Sequence, residues 1–367
     1  MKNKFFLIKV YLILSLCLFS DLNSEENFFF NVSEIEISQN GNLFKGSNGG
    51  EAYTNDGISI IAKNFEYNKL KQHLKAINNV KFKDNTKNLI IKADEISYFK
   101  NEEIILAKGK VFVLDQNKNI QILADSITYN KTDEAKIVAN GNVKFFDKKN
   151  DIEVISDNIT YLKDLEKIFT EGQTKAKIQS KYKFESRNVT YSNKDKKLKS
   201  SEKTTIENQD YAFYELDNFI YEIDKEFLKG KKIKVIENSK LPLGETNTYF
   251  FENGFFDLKN NNYKTGETKI SLKKNIFDRS ENDPRLYGVS SNHENNITTI
   301  NKAVFTSCKK NNNCPPWQIE ASKIKHDKNK KQLIYENSIL KVYNFPVFYF
   351  PKFFHPDPTV DRQSGFL

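Results

Sequence analysis

A chain of 367 residues is long enough for one extended domain with a smaller segment attached. Its formal net charge of +9 comes almost wholly from lysine, with only Arg187, Arg279, Arg285 and Arg362 as arginines. No basic cluster carries interleaved stacking aromatics, which argues against nucleic acid as a partner, and after the leading residues no stretch approaches the roughly 20 apolar residues of a membrane-spanning helix.

The chain opens MKNKFFLIKVYLILSLCLFSDLNSEE, a basic start (Lys2, Lys4, Lys9) followed by an apolar stretch ending near Phe19. This is the pattern of a secretory signal over 1–24, with removal expected near Ser24. Leu16, ahead of Cys17, is too large for the small residue of a lipid-attachment site. With Lys2, Lys4, Lys9 and Asp21 removed the net charge becomes +7. That positive field either attracts anionic lipid headgroups or reflects a solvated surface in a composition rich in lysine, asparagine and isoleucine.

The mature chain is then periodic. Tyr67, Tyr98, Tyr129, Tyr161, Tyr191 and Tyr221 recur at intervals of 31, 31, 32, 30 and 30 residues, the first five closing the phrases ISIIAKNFEY, LIIKADEISY, IQILADSITY, IEVISDNITY and YKFESRNVTY. Such a period marks one structural unit stacked many times and builds a long surface or groove rather than a catalytic pocket. Within a copy Ile120, Ile122 and Ala124 share one face; after a change of parity Ile127 and Tyr129 share one. Period two means strand, and a parity change in a fixed place predicts a bulge or corner.

A second strand follows in each copy: KAINNVKF, LAKGKVFV, VANGNVKF and FTEGQTKA. Ala76, Ala107, Ala139 and Thr170 stand four before Val80, Val111, Val143 and Thr174, so both point to one side. Gly109, Gly141 and Gly172 between them predict bulges. Polar connectors such as DNTKN, DQNKN and DKKND complete a unit of two antiparallel strands with a small-residue corner. The apolar positions either fill a closed sandwich core or line an open groove. The groove candidates are Ile60, Ile91, Ile122, Val154, Val80, Val111 and Val143, with Ile96, Ile127 and Ile159 near the corners. The parity change leaves open which set faces the concavity. The tyrosine ladder lines the groove or clamps the corner, the clamp being the expectation.

No catalytic constellation is present. His73, His293, His326 and His355 are scattered, and neither a nucleophile motif, a phosphate-cradling glycine loop nor an HExxH pair occurs. No enzyme activity and no cofactor are expected. Asp94, Asp125 and Asp157 follow the repeat and are expected to cap the backbone at the bend. Cys308 and Cys314 are expected to pair after export, closing a seven-residue loop for about 2 kcal/mol; zinc with His326 or His355 fits no common ligand spacing.

After about residue 270 the period fades. Leu241–Gly266 still reads as strands, residues 271–303 as an irregular, Asn-rich connector, and 304–367 as a junction segment. The last contains PPWQI, the strand pair ASKIKHD…IYENSILKV, the aromatic–proline run FPVFYFP with Pro346 and Pro351, and HPDPTVDRQSGFL with Pro356 and Pro358. In order and spacing these phrases resemble the outer-membrane lipopolysaccharide-assembly family LptD, in the stretch that leads into its β-barrel. The upstream repeats, with AD-x-I-x-Y and A-x-G-x-V, resemble the OstA-type jelly-roll shared by LptA, LptC and the LptD periplasmic domain.

The resemblance implies an all-β, elongated OstA/LptA-like jelly-roll (a β-taco) of repeats of about 31 residues over 28–270. It also implies an exported protein at the periplasmic face of the outer membrane. The ligand implied is lipopolysaccharide, with acyl chains in the apolar groove. The implied partners are an LptA-like bridge protein, added at an edge strand, and an LptE-like lipoprotein where a barrel is present. The chain stops at Leu367, where the family's barrel would begin, so a truncated product is expected and the family's disulfides do not carry over intact. For Phe348, Tyr349, Phe350, Phe353 and Phe354 the readings are packing under the junction or an apolar bridge to the barrel. A free-standing LptA-like carrier is the rival function, and a structural or adhesive β-solenoid a further one.

Overall fold

The computed structural model describes residues 28–274, 282–310 and 315–356. The expected signal with Cys17, Cys314, and the final phrase from Asp357 to Leu367 lie outside the described residues. Between His73 and Ile178 the chain forms seven consecutive strands of 11 or 12 residues: His73–Asp84, Leu89–Phe99, Ile104–Asp115, Ile120–Asn130, Lys136–Asp147, Ile152–Leu162 and Lys167–Ile178. Each pairs antiparallel with the next, and every pair carries a register shift at mid-strand, as between Ile77 and Val80 or Ser156 and Asn158.

The shift bends each strand, so its two halves belong to two leaves joined along a spine of bulges, with the hairpin turns at the free margins. Gly109 and Gly141 stand on that spine at φ +78° and +77°, where Lys110 and Asn142 follow them into left-handed backbone. In His73–Asp84, which has no glycine, Asn78 and Asn79 adopt the same conformation. The parity change resolves accordingly. Ile122 and Ala124 before the bulge, and Ile127 and Tyr129 after it, all point between the leaves and are all buried.

The whole is one antiparallel sheet of 26 strands among the described residues, folded on itself as an elongated all-β jelly-roll. Beyond Ile178 the bend becomes a break in some strands, as between Tyr182–Arg187 and Thr190–Ser192, while others such as Phe213–Glu222 and Phe227–Ile236 run unbroken. Phe29–Ser38 and Phe345–Pro356 each pair along one edge only, so the sheet has a free edge at both ends among the described residues.

One expectation is corrected. Among the described residues, 282–303 do not form an irregular connector: Arg285–Gly288, Ser290–Glu294 and the start of Ile297–Thr306 lie there and continue the same sheet. Their inward positions are Ser291, His293 and Thr298 as well as Leu286 and Ile300, so the apolar alternation that signals a strand is diluted. The sheet runs on through Trp317–Asp327 and Gln332–Val342. The core is nevertheless in two parts, one running from Phe28 to Phe256 and a smaller one from Ile270 to Tyr335.

Candidate functional site

All ten groove candidates lie between the leaves in the larger core. Ile60, Ile91, Ile122, Val154, Val80, Val111, Val143, Ile96, Ile127 and Ile159 are each no more than 2% exposed. The space they face is filled by side chains of the opposite leaf. Phe82 stands edge-on to Tyr98 and Tyr129, and Phe145 to Tyr161 and Tyr191, with ring centroids 5.9–6.4 Å apart. Over this section the interior is closed.

Its free margins are tied together by the tyrosine ladder. The Tyr129 hydroxyl donates to Asp84 Oδ2 at 3.0 Å, Tyr161 to Asp115 Oδ2 at 2.9 Å and Tyr191 to Asp147 Oδ2 at 2.7 Å. In each pair the tyrosine sits near the margin of one leaf and the aspartate ends a strand at the margin of the other. The second oxygen of each aspartate accepts backbone N–H groups of its own turn: Thr86 and Lys87 on Asp84, Asn117 and Lys118 on Asp115, Lys149 and Asn150 on Asp147. These carboxylates are 0–1% exposed, and a buried charge is tolerated only with such a donor set. Asp115 also holds the buried Lys163 ammonium at 2.6 Å.

Turn-to-turn ion pairs reinforce the closure, with Lys87 on Asp164 at 2.8 Å, Lys131 on Asp56 at 3.2 Å, and Lys118 on Glu166. Burial first, and then the facing aspartates, push the Tyr129, Tyr161 and Tyr191 phenols far above their ordinary range. The ladder is thus a clamp, but across the margins rather than at the corner. Two members bond locally, Tyr67 to Gln72 and Tyr98 to Glu103, and the buried Tyr221 hydroxyl has no hydrogen-bond partner among the described residues.

The sequence singled out the wrong periodic aspartates for backbone capping. Asp94, Asp125 and Asp157 lie by the spine, and Asp125 accepts the Asn142 side-chain amide at 2.9 Å. The backbone caps belong to Asp84, Asp115 and Asp147. A signal was available, because these recur at 31 and 32 residues, close to the 32 and 30 of the tyrosines they meet.

The interior opens where the two cores separate. The cavity walls there include the buried polar residues Thr246, His293 and Thr298, where isoleucine, phenylalanine and tyrosine fill the interior upstream. One cavity, of about 470 Å³, is walled by Tyr249, Ile270, Leu286, Ile300, Phe305 and Leu333. A second of about 520 Å³, walled by Tyr214, Val235, Phe251, Phe256 and Tyr263, shares Glu237, Tyr249, Thr298 and Lys328 with it. Both fall in the size range of small-molecule sites.

Exposed lysines stand around these cavities: Lys273, Lys328 and Lys331 on the first, Lys259 and Lys328 on the second. None of the four is in an ion pair among the described residues, unlike the lysines of the closed margins. Of the carboxylates nearby, Glu237 accepts the Tyr249 hydroxyl and the Asn247 amide, and Asp257 accepts two groups of Asn260. Burial raises the Tyr263 phenol to about 12. Burial, then Lys328 and His326, holds the His293 imidazole below its ordinary value; His293 bonds Thr298 at 2.8 Å and stacks on Tyr263. No sequence signal marked these cavities beyond the fading of the period.

At the far end Phe348, Tyr349, Phe350 and Phe354 are exposed on the last described strand, whereas Phe353 is half-buried and stacks on Tyr335 at 4.5 Å. Packing under a junction therefore describes Phe353 alone among the described residues. Cys308 is half-buried with its Sγ 3.7 Å from the Trp317 carbonyl, and its expected partner Cys314 lies outside the described residues. No group of three or more His, Cys, Asp or Glu side chains among the described residues is placed to hold a metal ion.

No protein-family model matches the chain, and no curated protein matches it. Among solved structures it is similar to LptH of Pseudomonas aeruginosa, described as the LptA-homologous periplasmic component of the lipopolysaccharide transport device. The identity is 15%, over 29% of this chain and 78% of that one, with a TM-score of 0.27.

Proposed function

We propose that the chain carries lipopolysaccharide within the periplasm, holding acyl chains between the leaves of the jelly-roll and leaving the sugars in water. One observation carries this reading: an apolar space opens into the sheet interior beside exposed lysines that form no ion pair among the described residues. Each methylene kept from water contributes about 0.8 kcal/mol, so an apolar interior is what a multi-chain lipid requires to cross an aqueous space. The groove candidates from Ile60 to Ile159 form the continuation of that interior and are proposed as wall residues that acyl chains meet once the leaves part.

The finer reading is that this is the periplasmic part of an LptD-type assembly. The two free sheet edges suit strand addition by an LptA-like bridge protein. Phe348, Tyr349, Phe350, Phe353 and Phe354 would pass acyl chains toward a barrel, with an LptE-like lipoprotein as the barrel's partner at the outer membrane. The phrases PPWQI and FPVFYFP support it. The test is native mass spectrometry of the chain purified from bacterial envelopes. Lipid with several acyl chains and phosphates should remain bound, and a chain that retains no lipid and takes none up from lipopolysaccharide would exclude the reading.

A further inference from the structure

The interior is not uniform along its length. From Ile58 to Leu228 it is filled and its margins are tied by buried tyrosine–aspartate bonds, with Lys163 buried on one of them. From Val235 to Leu333 two cavities open between the leaves, walled by Tyr249, Phe251, Ile270, Leu286 and Ile300, and Lys259, Lys273, Lys328 and Lys331 beside them form no ion pair among the described residues. Parting the first section around an apolar chain would leave its carboxylates without their tyrosine donors beside apolar groups, an uncompensated charge; filling the second requires no such bond to break.

We propose that an anionic amphiphile rests in the paired cavities around Tyr249, its single-chain or multi-chain apolar part against Ile270, Leu286 and Ile300. Its phosphate-bearing head is met by Lys273, Lys328 and Lys331. The section tied by Tyr129, Tyr161 and Tyr191 is closed to it until those bonds break. This rests on the lipid-carrying reading and narrows it to one site and one headgroup chemistry. A phosphate can hydrogen-bond several ammonium groups at once, which a neutral sugar head cannot match.

The test is methyl NMR of the chain labelled at isoleucine δ1 carbons, titrated with dodecyl phosphate below its micelle concentration and, separately, with dodecyl maltoside. The methyls of Ile270 and Ile300 should shift while those of Ile91 and Ile122 stay in place. Dodecyl phosphate should bind at least about tenfold more tightly than the maltoside, one strong charged contact's worth. Lys328→Glu with Lys331→Glu should remove that preference without altering the spectrum of the free chain. In Tyr161→Phe with Asp115→Asn, the shifts should spread to Ile122. Equal shifts at Ile122 and Ile300 in the unaltered chain, or no preference for the phosphate, would overturn the inference while leaving lipid carriage standing. Shifts at neither set, with lipopolysaccharide also inert, would remove the carrier reading and this site with it.

Discussion

The hydroxyl of Tyr161 lies 2.9 Å from Asp115 Oδ2, across the margin between the two leaves and 46 residues away along the chain. That bond shares its acceptor with the ammonium of Lys163 at 2.6 Å. One carboxylate thereby joins two elements that no local sequence feature connects. Tyr161→Phe should lower stability by about 1–2 kcal/mol, the worth of a buried bond to a charged group. Asp115→Ala should cost about 3–5 kcal/mol, because it leaves Lys163 buried without a counter-charge. Urea unfolding midpoints measure both, and equal effects would mean that Lys163 finds water.

Tyr221 supplies the opposite case on the same ladder. Its hydroxyl is buried without a hydrogen-bond partner among the described residues, so Tyr221→Phe should leave stability unchanged or raise it by about 1 kcal/mol. A loss as large as that of Tyr161→Phe would show that a partner satisfies this hydroxyl in solution.

The spine glycines separate strain from crowding. Gly141 has φ +77° and a Cβ there would stand 2.4 Å from Asp125 Oδ2, whereas Gly172 has φ +82° and open space. Gly172→Ala should cost about 1 kcal/mol from backbone conformation alone. Gly141→Ala should cost more, since Asp125 must also move. Calorimetric melting of the two variants gives the order directly.

His293 makes stability depend on pH near the cavity. Burial lowers its folded-state pKa below the ordinary 6.5, so the unfolded chain binds its proton first as pH falls. The contribution is complete above about 6.5 and is lost progressively below it. His293→Gln should flatten the stability profile on the acid side of that value relative to the unaltered chain. His73, also lowered by burial, acts in the same direction and remains in both, so the difference between the two profiles isolates His293.

On the last described strand, Phe348 and Tyr349 are 59% and 60% exposed. Phe348→Glu and Tyr349→Glu should therefore change stability by less than about 0.5 kcal/mol while impairing lipid delivery to the outer membrane in cells. Normal delivery would remove these residues from the transfer path.

Much of the architecture was legible because it is local. The tyrosine period, the alternation in ILADSITY and the glycines before Val111 and Val143 each report strand, bulge and inward face within a dozen residues. The asparagine-rich stretch after residue 270 hid its strands because Ser291, His293 and Thr298 occupy inward positions without an apolar signature. Local patterning is therefore enough to specify the repeating bent strand and which side chains turn inward. Whether the space between the leaves is filled was decided only in three dimensions. It depends on volumes and hydrogen bonds contributed from opposite leaves: Phe82 against Tyr129, Asp84 on the hydroxyl of the same ring, and, past Phe256, the walls of Ile270, Leu286, Ile300 and Thr298 that leave space between them.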